Sequence, residues 1–103
     1  MIREPDTMNG AEERVYGYLI KFVGSLKPED LQGFLRFITG SSVMLPSDIT
    51  VLFNAVTGLS RAIASHTCSS TVVIPTTYVS YSDFAIEFHS ILQSDFGWIM
   101  DAV

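Results

Sequence analysis

Few side chains in this 103-residue chain are equipped for covalent chemistry: one cysteine, Cys68, and two histidines, His66 and His89. Cys68 lies in Ser65-His66-Thr67-Cys68-Ser69-Ser70, a polar stretch just before the apolar run Val72-Val73-Ile74-Pro75. A thiol on such a loop suits nucleophilic catalysis, because sulfur attacks acyl carbon well even when only a small fraction is ionised. An isolated free cysteine is more often a small packed hydrophobe, so the reading rests on the polar neighbourhood. His66 is a candidate hydrogen-bonding or cationic neighbour, although a residue two positions away need not face the sulfur. Thr67 is a candidate to orient the loop or to donate to an acyl oxygen. A cysteine hydrolase pairing Cys68 with His66 or His89 would also need a residue to orient the imidazole, and none is evident. One thiol cannot close an internal disulfide. With two distant histidines it cannot complete a zinc set either, so no metal and no cofactor is expected, and a reducing compartment fits.

The elements that must position these groups read as follows. Residues 1–10 are polar, with Pro5, Asn9 and Gly10, and are expected to form a flexible leader, with one ordered domain over 11–103. From Glu12 to Leu26, Val15, Leu19, Phe22 and Leu26 recur at helical spacing, with Ile20 and Val23 widening the stripe. Pro28 suits a first helical position, Glu29 and Asp30 a first turn, and Gly40 a stop. Leu31, Phe34, Leu35 and Ile38 then share one face. Residues 41–48, with Pro46, read as a loop, and Ile49-Thr50-Val51-Leu52-Phe53 as a strand. Residues 54–65 read as loop, with at most a short strand near 62–64. Thr71 to Ile74, β-branched throughout, form a strand that Pro75 ends. Ser80 and Asp83 stand at capping-box spacing ahead of a third helix, whose buried face is Phe84, Phe88, Ile91 and Leu92. The remaining tail, Asp95 to Val103, carries large apolar groups. The order implies a small α+β domain, helices on a small β-sheet, with Cys68 on a loop between strands.

Composition narrows the partners. Apolar residues make up 48% and charged residues 17%, which excludes disorder over most of the length. The net charge of −5, with only six scattered Lys and Arg, leaves no basic footprint, so nucleic acid is not expected as a partner. No membrane association is expected: the N-terminus lacks the apolar core of a signal peptide, and no apolar run approaches a membrane span. A cytoplasmic or nuclear location is the expectation.

The motifs then resemble a known family. Phe34-Leu35-Arg36-Phe37-Ile38-Thr39-Gly40-Ser41-Ser42, Pro46, His66-Thr67-Cys68, Val72, Ile74, Pro75 and Ser80-Tyr81-Ser82-Asp83-Phe84 are similar to the C-terminal lobe of HECT-type ubiquitin-protein ligases. The resemblance spans roughly residues 13–98, in the element order derived above. The divergent group that includes the cell-cycle-phase-specific ligases looks nearest. The resemblance implies a ubiquitin ligase lobe that takes ubiquitin as a thioester on Cys68 and passes it to a substrate lysine, with His66 and Thr67 supporting the loop. It implies ubiquitin and a protein substrate as partners. The conjugating enzyme would dock through a large N-terminal lobe with no counterpart here, so the chain is expected to be either a fragment of a larger ligase or a short stand-alone relative. An extended ubiquitin tail would add to the strand edge near Val72 to Ile74. The alternative is a non-catalytic ubiquitin-binding or regulatory module that keeps the fold.

Several positions depart from the family pattern. Ser69 and Ser70 stand where Phe and often Asn are usual, and Ile63 stands where a proline is usual. Tyr78 is displaced by one, and Met100 replaces a phenylalanine used in onward transfer, with Phe96 and Trp98 nearby. Asp95 and Asp101 are candidate acids for deprotonating an acceptor lysine.

Overall fold

The computed structural model describes residues 2–40, 48–58 and 61–101, with 94–101 as helix backbone only. In chain order the elements are β1 (Ile2–Arg3), α1 (Gly10–Ser25), α2 (Pro28–Thr39), β2 (Ile49–Asn54), β3 (Ala64–His66), β4 (Thr71–Pro75) and α3 (Tyr81–Asp101). This is an α+β domain: three helices pack on a four-stranded mixed sheet ordered β1-β2-β4-β3. β2 lies parallel to β1 and to β4, while β3 and β4 are antiparallel.

The sheet is built around its most β-branched segment. Val51 pairs with Val72 and Phe53 with Ile74. Ile49, Val51, Val72 and Ile74 are buried on the helical side. Side chains alternate across a strand, so Thr50, Leu52, Thr71 and Val73 fall on the other face, where Leu52 remains 51% exposed. Above the helical side, Val15, Leu19 and Phe22 of α1 meet Phe34, Leu35 and Ile38 of α2 and Phe84, Phe88 and Leu92 of α3. The aromatic rings lock together: Phe22 stacks on Phe88 at 4.9 Å between centroids, and Phe84 stands edge-on to Tyr78 at 5.3 Å. Each such pair contributes roughly 0.5–1.5 kcal/mol beyond the area it buries.

Local chemistry sets most boundaries. Pro28 opens α2, and Gly40 closes it in the left-handed region at φ 78°. The leader is more structured than its polar composition implies. Ile2 and Arg3 pair with Ile49 and Thr50, and a complete capping box, Asn9 with Glu12, starts α1 at Gly10. Before α3 the box is only half made: the Ser80 hydroxyl accepts from the Asp83 N–H at 3.2 Å, but the Asp83 carboxylate accepts from the Val79 N–H. The shorter acid, turned toward Arg61, meets the N–H one residue earlier. The short strand lies at Ala64–His66, two residues later than expected, because it is the stretch that pairs with Val73 to Thr71 of β4. Leu26, Leu31 and Ile91 are only half-buried and Ile20 is exposed, so each helical stripe is narrower than its sequence pattern. Residues 41–47 lie outside the described residues.

Candidate functional site

Cys68 occupies the tip of a β-hairpin. His66, the last residue of β3, pairs with Thr71, the first of β4, and the four residues between them make the turn. Four-residue hairpin loops are most often built around a tight type I turn. Here Thr67 to Ser69 form one turn of 3-10 helix, and Ser70 closes it at φ 49°, ψ 49°. Ser70 is the one non-glycine with positive φ among the described residues. Its N–H donates to the Thr67 carbonyl at 3.3 Å, and its carbonyl accepts from the Thr50 N–H at 2.9 Å, tying the turn to β2. Hydroxyls complete the hold. Ser69 Oγ lies 3.0 Å from Thr71 Oγ1, which also donates to the Ser69 carbonyl at 3.2 Å.

The two sequence motifs meet at this turn. A Cβ placed on Gly40 would lie 3.5 Å from the Cβ of Thr67, so the end of α2 rests against the first residue of the turn. Thr67, Cys68 and Ser69 are all exposed, and the thiol is free. Among the described residues, no hydrogen bond or ion pair reaches the thiol or either imidazole. His66 is exposed beside the turn, at the end of β3, whereas His89 belongs to α3 and sets its ring edge-on to Phe22 at 6.1 Å. Among the described residues, then, no base is hydrogen-bonded to Cys68, and the thiol meets solvent directly.

One expectation is corrected here. Val72 to Ile74 offer no open strand edge, because β4 pairs with β2 on one side and β3 on the other. The hairpin's edge strand is β3, Ala64–His66. Ser41, Ser42 and Pro46, and the side chains of Asp95, Phe96, Trp98, Met100 and Asp101, lie outside the described residues.

Sequence reasoning missed the charged cluster at the opposite end of the sheet. Arg61 donates to the Thr77 carbonyl at 3.2 Å, to Asp83 at 3.4 Å and to Glu87 at 3.4 Å. Its guanidinium also lies 4.3 Å from the centre of the Tyr78 ring. The Tyr78 hydroxyl donates to Glu87. Burial, and then the bond to Glu87, push the Tyr78 pKa far above the ordinary tyrosine range. Burial pulls the Arg61 pKa down, but Asp83 and Glu87 outweigh it and raise it overall. The signal in sequence was slight: only the spacing of Asp83 and Glu87, four residues apart on one helical face, marks them as a pair.

A scan against family models finds none that matches the chain, and a search of curated proteins finds no relative. No helix among the described residues is long and apolar enough to cross a membrane.

Proposed function

We propose that Cys68 accepts an acyl group as a thioester and hands it to an amine. From the resemblance to HECT-type C-terminal lobes, the acyl group is the C-terminus of ubiquitin and the amine a substrate lysine. The observation that carries the proposal is an exposed thiol at the tip of a tied hairpin, with Gly40 of one resembling motif packed on Thr67 of the other. A second point supports it. The family often carries Asn where this chain has Ser70, and Asn is among the few side chains that tolerate the left-handed region Ser70 occupies.

The chemistry asks little of the fold. Exchange of one thioester for another is nearly balanced in energy, so the protein's task is to present the sulfur in line with the incoming carbonyl. Loading from a charged conjugating enzyme would require a separate lobe to hold that enzyme. His66 and Thr67 then act as supports of the turn.

The test needs no such lobe: ubiquitin is offered with a small-molecule thioester at its C-terminus. The expected result is a dithiothreitol-sensitive adduct that disappears in Cys68→Ser. A folded wild-type chain that forms no adduct sinks the transferase reading. Binding of ubiquitin without an adduct would establish the non-catalytic module instead.

A further inference from the structure

Asn9-Gly10 is the one Asn-Gly or Asp-Gly step in the sequence. Both residues are exposed, where the chain arriving from β1 enters α1. An asparagine followed by glycine carries its own reagent. The next backbone nitrogen closes on the side-chain amide carbon as a five-membered imide, and glycine has no Cβ to shield that nitrogen. Gly10 is the first residue of α1, so its N–H has no carbonyl one turn earlier to bond. The other asparagine, Asn54, precedes an alanine and accepts from the Val56 N–H at 3.2 Å at the end of β2.

The folded geometry holds this reaction back. Ring closure requires the Gly10 nitrogen and the Asn9 Cβ to be nearly eclipsed about the Asn9 Cα–C bond, and ψ 178° leaves them staggered. Rotating that bond swings the Asn9 carbonyl away from the Glu13 N–H, from which it accepts at 2.9 Å. Turning the side chain onto the nitrogen breaks the bond from the Glu12 N–H to Asn9 Oδ1, also 2.9 Å. The Asn9 N–H, donating to Glu12 Oε1 at 3.0 Å, pins the residue from its other side. The imide therefore forms only when the first turn of α1 opens, a local motion that does not require global unfolding.

We propose that Asn9 is a deamidation site and that the capping box of α1 controls it. With the turn open, the Gly10 nitrogen gives its proton to solvent and bonds to Asn9 Cγ. The Cγ–Nδ2 bond breaks and ammonia leaves. Water then opens the imide. Addition at Cγ gives aspartate, and addition at the main-chain carbonyl carbon gives isoaspartate, in which the chain runs on through Cβ and Cγ. The balance is one water consumed and one ammonia released, with no oxidation, and Cys68 takes no part.

The two products act oppositely on the fold. Aspartate caps a helix as well as asparagine does, and its charge suits the positive end of the α1 dipole, so the turn closes again. Isoaspartate inserts a methylene into the main chain between β1 and α1. It cannot present a side-chain oxygen to Glu12 and a main-chain carbonyl to Glu13 in the original geometry, so the turn stays open.

The experiment ages the full chain at neutral pH, in buffer and in urea. Peptide mass follows the exchange of ammonia for water, and an isoaspartyl methyltransferase with labelled methyl donor assigns isoaspartate. Conversion should occur at Asn9 and not at Asn54, and faster in urea than in buffer. Glu12→Ala, which removes half of the box, should speed conversion in buffer by about fivefold, the factor an ordinary cap interaction implies. It should leave the rate in urea unchanged. Gly10→Ala, whose added Cβ meets nothing within 4 Å, should suppress conversion in buffer and urea alike with the fold intact. Equal wild-type rates in buffer and urea, or a Glu12→Ala rate in buffer equal to wild type, overturn the control by the cap. A chain in urea that keeps Asn9 intact, or that converts Asn54 as fast, overturns the site.

Discussion

The two ends of the β3–β4 hairpin are held in opposite ways. At the base, Arg61 joins Thr77, Asp83 and Glu87 and covers the Tyr78 ring, and Arg14 donates to the Thr76 and Tyr78 carbonyls at 3.4 and 3.5 Å. Tyr78 there is 1% exposed. At the tip, neutral hydroxyls, backbone bonds and one left-handed serine hold the turn, and the thiol faces solvent. Charged hydrogen bonds are roughly twice as strong as neutral ones, so the base is the firmer anchor. The contrast teaches where stability and reactivity reside. An exposed thiol keeps access to solvent, and the ion pairs of Arg61 with Asp83 and Glu87 stand at the other end of the hairpin.

That contrast makes graded predictions. The largest effect belongs to the core under the base: Phe84→Ala, which removes a fully buried ring touching Phe22, Tyr78 and Phe88, should cost about 3–5 kcal/mol in urea unfolding. Next, Arg61→Ala should cost about 2 kcal/mol, the scale of hydrogen bonds to charged groups. Alkylation of Cys68 by iodoacetamide should stay within about twofold of wild type in that variant, since distant sites act independently. A larger change would show that base and tip are one mechanical unit.

The third prediction concerns pH. The folded pKa of Tyr78 lies above its unfolded value of about 10. The folded chain therefore keeps a proton that the unfolded chain releases, so the stabilisation is complete below about pH 10 and is lost as pH rises beyond it. Stability should fall there by up to about 1.4 kcal/mol per pH unit, and Tyr78→Phe should flatten the slope. An unchanged slope would place the alkaline weakness elsewhere than the base.

The smallest effects belong to the tip and should have opposite signs. Gly40→Ala should cost about 1 kcal/mol, because alanine is strained at φ 78°. Ser70→Gly should gain about 0.5 kcal/mol, the relief of left-handed strain less the added freedom of glycine in the unfolded chain. Loss of stability in Ser70→Gly would mean that the serine side chain holds the turn more firmly than its backbone strains it.

Legibility in the sequence differed along the same line. Pro28, Gly40, the β-branched run Thr71 to Ile74 and the stripe Phe84-Phe88-Leu92 announced their elements, because each acts through contacts within a few residues or a simple periodicity. β1 and the Asn9–Glu12 cap went unread, since a two-residue strand exists only by pairing with β2, and a polar cap resembles a polar loop. Arg61 went unread because its partners lie 16 to 26 residues away. The exposed position of Cys68 on a loop between strands was legible from its polar neighbours. The absence of an open edge at Val72 to Ile74 was not, because edges belong to a sheet and not to a strand.

By itself, then, the sequence determined where helices start and stop, which faces are apolar, and that one thiol lies in a polar turn, since propensity, capping and periodicity are local properties. Tertiary structure decided that Gly40 meets Thr67, that β4 is enclosed by β2 and β3, and that Arg61 gathers Thr77, Asp83 and Glu87 at the far end of the sheet. Those are consequences of strand order and register, which depend on packing between segments far apart in the chain.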